Sequence, residues 1–119
     1  MAREFKAGDI LIFQLESGFG LLKVLAVDEV EGETIWHLLA YEDLFLDPET
    51  ADMALASVEN LRVGAKHLAL TNRAFESTQT ARMTNSSVTS EELARVNAWR
   101  ENPNNQVSDT SVRLLLGLR

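Results

Sequence analysis

Apolar positions cluster in three short runs near the start of the chain: Ile10-Leu11-Ile12-Phe13-Gln14-Leu15, Leu21-Leu22-Lys23-Val24-Leu25-Ala26-Val27 and Thr34-Ile35-Trp36-His37-Leu38-Leu39-Ala40-Tyr41. The runs are cut by Glu16-Ser17-Gly18-Phe19-Gly20 and by an acidic turn from Asp28 to Glu33 with Gly32 in it. Short runs of Ile, Val, Leu and aromatics bounded by Gly and acidic residues predict an antiparallel meander. Side chains alternate along a strand, so Ile10 and Ile12 share one face and Leu11 and Phe13 the other. A strand apolar at both parities is covered on both sides. A closed barrel provides that cover, and so does a sheet with helices on its outer face. Lys23 is the one charge in the second run and predicts a solvent-facing position. Trp36 and His37 fall on opposite faces.

Beyond Tyr41 the pattern changes. Asp47-Pro48-Glu49 combines a carboxylate cap, proline at the first helical position and an acid in the first turn, and predicts a helix to about Ser57. His67 to Leu70 reads as a further strand, with a helical turn over Thr71 to Phe75. Ser77 to Ser90 is rich in Thr, Ser and Asn and reads as a loop. Thr89 followed three residues later by Glu92 forms a capping box for a helix from Ser90 to about Glu101, which Asn102-Pro103 stops. Ser108-Asp109 and Gly117 bracket a last helix; an edge strand from Val112 to Leu118 competes, and the cap and the glycine favour the helix. There is no internal repeat.

These elements predict one domain over 1–119, of the α+β class: a strongly bent five-stranded antiparallel sheet or SH3-like small β-barrel with two to three helices. Residues 5–75 form the barrel-like part, with an inserted helix near 48–57. Residues 76–119 form a loop and a helical tail packed on the sheet. The expected core is Ile10, Ile12, Phe13, Leu22, Val24, Val27, Trp36, Leu38, Leu68, Leu70, Phe75, Leu93, Val96 and Trp99.

Composition narrows the chemistry. The 119 residues are 45% apolar and include no cysteine. A packed core needs no staples at that length, and disulfides and thiolate metal sites are excluded. No apolar run approaches the roughly 18 residues that span a bilayer, and the start of the chain lacks a leader's apolar stretch. The expectation is a cytoplasmic protein with no membrane partner. The formal charge of −7 is unevenly spread: residues 1–60 hold three basic and thirteen acidic residues, residues 61–119 eight basic and five acidic. Such asymmetry points to a charged partner or to attraction between the halves.

His37 and His67 have no partner at metal-ligand spacing; a metal site requires them to meet in space with a carboxylate such as Asp43. Both read as histidines within or beside the core. No metal and no cofactor is expected. Ser and Thr sit in loops with no strand–Ser–helix elbow, and Glu42, Asp43, Asp47 and Glu49 read as loop and cap residues, so no catalytic residue is assigned. Gly18-Phe19-Gly20 lacks the further glycine and helix of a dinucleotide site. The basic residues Arg62, Lys66, Arg73, Arg82, Arg95 and Arg100 are dispersed, which makes a nucleic-acid-binding barrel the second reading and nucleic acid an unlikely partner. A small enzyme ranks third. The leading expectation is a non-catalytic protein-binding module. Its acidic loop rim, Glu16, Asp28, Glu29, Glu31, Glu33, Glu42 and Asp43 around Phe19 and Tyr41, faces a basic protein.

Gly8-Asp9 before an apolar strand, Gly18-Phe19-Gly20 at the first turn and Val24-Leu25 in the second strand carry a resemblance. In these residues the segment Phe5 to Asp47 resembles the small bacterial SH3-like barrels of the immunity protein 26 type. The resemblance implies a barrel and toxin neutralisation by binding. It implies no functional residue.

Overall fold

A computed structural model describes residues 5–117. The strands are β1 (Asp9–Leu15), β2 (Gly18–Val30), β3 (Glu33–Tyr41), β4 (Val63–Thr71) and β5 (Thr80–Asn85). The helices are α1 (Pro48–Ala54), continued by a 3-10 segment Leu55–Asn60, then α2 (Asn72–Glu76), α3 (Ser90–Glu101) and α4 (Val112–Leu115). All strand pairs are antiparallel, in the order β4-β3-β2-β1-β5.

This sheet is open. Its ends, β4 and β5, do not pair with each other, so the expected strongly bent sheet or SH3-like barrel is wrong. The resemblance to the immunity protein 26 type fails with it. The physical reason lies in how double-sided burial is met. Ile10 and Leu11 are both fully buried, but by helices on each side of an open sheet rather than by closure. On one face, Leu11, Phe13, Leu22, Val24, Trp36, Leu38 and Leu70 pack with Ala74 and Phe75 of α2 and Val112 of α4. Trp36 and Phe75 stack there with centroids 4.0 Å apart. On the other face, Ile10, Leu21, Leu25, Leu39 and Tyr41 pack with Ala51 of α1 and Val96 of α3.

The caps form as the sequence implies. Asp47 accepts the Thr50 amide, and Thr89 and Glu92 exchange both bonds of the capping box. Ser111, rather than Ser108 or Asp109, caps α4. The polar stretch expected as loop contains β5, which pairs with β1 and forms an edge of the sheet. Edge strands tolerate polar residues, so Thr80-Ala81-Arg82-Met83-Thr84-Asn85 carries little hydrophobic signal.

Some core expectations fail, and β2 carries a bulge that was not expected. Leu25 and Ala26 together face His37 across the β2–β3 pair. The extra residue shifts the alternation of β2 from there on. Beyond it Val27 pairs with Trp36 near the end of the sheet and is 37% exposed rather than in the core. Leu93 is 40% exposed, while Ile12, Leu68 and Trp99 are only partly buried.

Lys23 is buried, not solvent-facing. It is 2% exposed, and its Nζ donates to Glu92 Oε1 at 2.9 Å and to the Ser87 carbonyl at 3.0 Å. Burial pushes the Glu92 carboxyl up, but the Thr89 amide and Lys23 outweigh it and hold the group below its ordinary range. α3 has Val96 as its one buried residue, so this ion pair is a main tie of its N-terminal end to the sheet.

Removing one charge from a buried pair strands the other. Glu92→Gln, which keeps the reach-back to the Thr89 amide, is expected to destabilise the protein by about 3 kcal/mol in urea unfolding. Lys23→Met combined with Glu92→Gln is expected to recover most of that loss. A double variant as unstable as the single one would show that the ion pair is not the tie.

Candidate site: an Asp28–His37–His67 chain beneath α3

The bulge in β2 has a chemical consequence. By shifting the alternation it turns Asp28 onto the face that carries His37. His37 Nε2 lies 2.9 Å from Asp28 Oδ2, and His37 Nδ1 lies 2.8 Å from His67 Nε2. The two imidazoles lie edge to edge and nearly parallel, 17° apart, with centroids 5.1 Å apart. Residues from β2, β3 and β4 thus form one hydrogen-bonded chain across the sheet.

α3 closes over it. The Trp99 ring stands edge-on to His37, centroids 4.8 Å apart, and its Nε1 donates to the Gln106 carbonyl. Arg100 grips both oxygens of Asp28, Nη2 to Oδ1 at 2.6 Å and Nε to Oδ2 at 3.0 Å. This fork and the His37 bond hold Asp28 below the ordinary carboxylate range against its burial. His37 is fully buried, and burial lowers its pKa although Asp28 opposes the shift. Burial, with a smaller contribution from His37, pushes His67 down to about 4.

The two histidines therefore do meet, with Asp28 rather than Asp43. Both nitrogens of His37 are occupied by protein partners, and no group of His, Asp or Glu among the described residues is arranged to hold a metal ion.

The expected acidic rim is split between opposite ends of the sheet. Asp28, Glu29, Glu31 and Glu33 lie at the β2–β3 hairpin, and Glu16, Phe19, Tyr41, Glu42 and Asp43 lie at the other end of a 13-residue strand. Such a strand is roughly 40 Å long. Several members are committed inside the fold. Asp28 belongs to the histidine chain and Asp43 accepts the Arg62 amide, while Glu29 is exposed and accepts from the Thr34 hydroxyl across the hairpin. Tyr41 is 5% exposed, its phenol pushed up to about 12 by burial and by Glu92. Phe19 pairs its backbone with Phe45. Glu31 and Glu33 remain exposed at the hairpin tip.

Sequence reasoning missed the chain because its members are 9 and 30 residues apart and one reaches the face through a bulge. The available signal was the shared parity of His37 with the buried Ile35 and Leu39. Compared with known proteins, the chain matches no family model, no curated protein and no solved structure. No helix among the described residues is long and apolar enough to cross a membrane.

Histidines held neutral bind fewer protons than the unfolded chain does below the ordinary value of 6.5. Stability is therefore full above about pH 6.5 and falls as pH drops toward about 4. Asp28 from β2 and Arg100 from α3 are the charged groups facing the pair, and Asp28 adds a loss of the same sign at lower pH. Allowing for partial exposure of His67, the loss between about pH 7 and 5 should be on the order of 1–2 kcal/mol. His67→Gln should flatten that slope in denaturant unfolding. An unchanged slope would remove the pair from the acid response.

Proposed function

We propose that the protein is a non-catalytic protein-binding module that receives a basic, amphipathic segment of another protein on the flank formed by residues 42–63. The supporting observation is the exposure of Leu46 and Met53, at 85% and 76%. Leu46 stands directly before the cap Asp47, where an apolar side chain ordinarily packs back on the fourth helical residue. That residue, Ala51, is buried in the sheet-facing core, and Leu46 is left in solvent. Leu44 and Val63 are also more than two-fifths exposed. The fold makes little use of these side chains, and large exposed apolar groups mark interaction surfaces when they gather.

Charge chooses the partner. No Lys or Arg occurs over residues 24–61, while this flank carries Glu42, Asp43, Asp47, Glu49, Asp52 and Glu59. Arg62 pairs with Asp43 and Glu42. Glu49, Asp52 and Glu59 are exposed and have no basic partner among the described residues. Flexible Leu and Met side chains beside carboxylates suit a basic helix with an apolar stripe. The nucleic-acid reading loses support by the same accounting. Arg62, Arg73, Arg82, Arg95 and Arg100 are each paired with a carboxylate, which weakens the positive field that phosphate binding requires.

The test uses a synthetic amphipathic Leu/Lys helix as the probe in calorimetric titration. Affinity should weaken about tenfold when salt is raised from about 50 to 300 mM. Leu46→Ser with Met53→Ser should weaken it about tenfold further while leaving the unfolding midpoint unchanged. Affinity indifferent to the double substitution, or tighter binding to duplex DNA than to the peptide, would overturn the proposal.

A further inference from the structure

The Asp28–His37–His67 chain has a direction, and Arg100 sets it. A carboxylate gripped on both oxygens by a guanidinium stays ionised and only accepts hydrogen bonds. The proton between Asp28 and His37 therefore resides on His37 Nε2. The neutral ring then offers a lone pair at Nδ1, which the Nε2–H of His67 fills at 2.8 Å. These tautomers are assigned from the hydrogen-bond network. His67 is left with a lone pair on Nδ1. Among the described residues that nitrogen has no hydrogen-bond partner, and it is not sealed from solvent, since the one sealed, unpartnered side-chain polar atom among them is Thr78 Oγ1.

His67 lines a cleft of about 400 Å³ between β4, the end of α3 and α4. Leu68, Trp99, Val107 and Leu115 supply its apolar wall, and among the described residues no Asp, Glu, Lys or Arg lines it. Trp99 is fixed in place by its bond to Gln106. The cleft thus brings the Trp99 ring and the His67 imidazole together, with no fixed charge among the described residues to hold an anion or a cation.

We infer that this cleft is a binding site for a small neutral aromatic molecule of the phenol class, which lies against Trp99 and donates its O–H to His67 Nδ1. Binding forms one hydrogen bond, O–H to Nδ1, and breaks no covalent bond. Arg100 and Asp28 are positioning residues: they hold the tautomer that leaves Nδ1 free to accept. The site is independent of the 42–63 flank and of the partner proposed for it.

The discriminating probes are phenol and anisole, which share a ring but differ in the donor. In nitrogen-15 NMR of the intact protein near neutral pH, His67 should be in the Nε2–H form. Phenol should shift its Nδ1 resonance and the Trp99 indole; anisole should bind at least about tenfold more weakly, because a site built around an acceptor rejects the analogue lacking the donor. His67→Leu should bring phenol down to the affinity of anisole. The free-state tautomer keeps the inference falsifiable should that variant fold poorly. A His67 ring protonated at Nδ1, equal affinity for phenol and anisole, or no shift at Trp99 would overturn it.

Discussion

Everything about this molecule depends on a helix that the hydrophobic effect alone would not hold. α3 buries Val96 and little else, yet it covers one face of a sheet whose interior includes Lys23 and His37. Those two groups cannot be dried without partners, because a buried charge or polar group lacking one is strongly destabilising. Glu92 near the start of the helix serves Lys23, and Arg100 and Trp99 near its end serve the Asp28–His37 chain. The sheet needs the helix to satisfy its polar residues, and the helix needs those residues to stay on the sheet.

That mutual requirement divides the carboxylates into two populations. Asp28 and Glu92 work inside the fold, each held below its ordinary range by the partners described above, and Asp9 is held there against its burial by Asn85, the Lys6 amide and Arg82. Glu31, Glu33, Glu49, Asp52 and Glu59 face solvent. Formal net charge merges the two populations, although only the second creates an outward field that a partner can feel. The split also explains why the surface proposed for a partner lies along the 42–63 flank. The hairpin carboxylates are a separate group at the far end of the sheet.

The opposite face is simpler. Trp36, Phe75 and Phe5 pack ring against ring, and the Trp36 indole donates to Asn72 at the start of α2. Close aromatic packing of this kind is satisfied with one polar contact, so its helices can be short. Specific chemistry has accumulated on the face where satisfying buried polar groups demanded a network.

Local rules were legible in the chain itself. The three N-terminal strands, the caps at Asp47 and Thr89 and the end of α3 at Asn102-Pro103 follow from interactions within a few residues, and the apolar pattern of β1 at both parities announces its burial on both sides. Side-chain alternation, proline geometry and cap hydrogen bonds act at that range. Whether the sheet closed was not settled there, because a barrel and a helix-covered open sheet impose the same pattern on β1. Nor was the place of β5, an edge strand with no hydrophobic signature, or the burial of Lys23, whose partner is 69 residues away. The histidine chain depends on one bulge at Leu25 and on the register of three strands. Register is a property of paired backbones, so only the tertiary structure could bring Asp28, His37 and His67 into line.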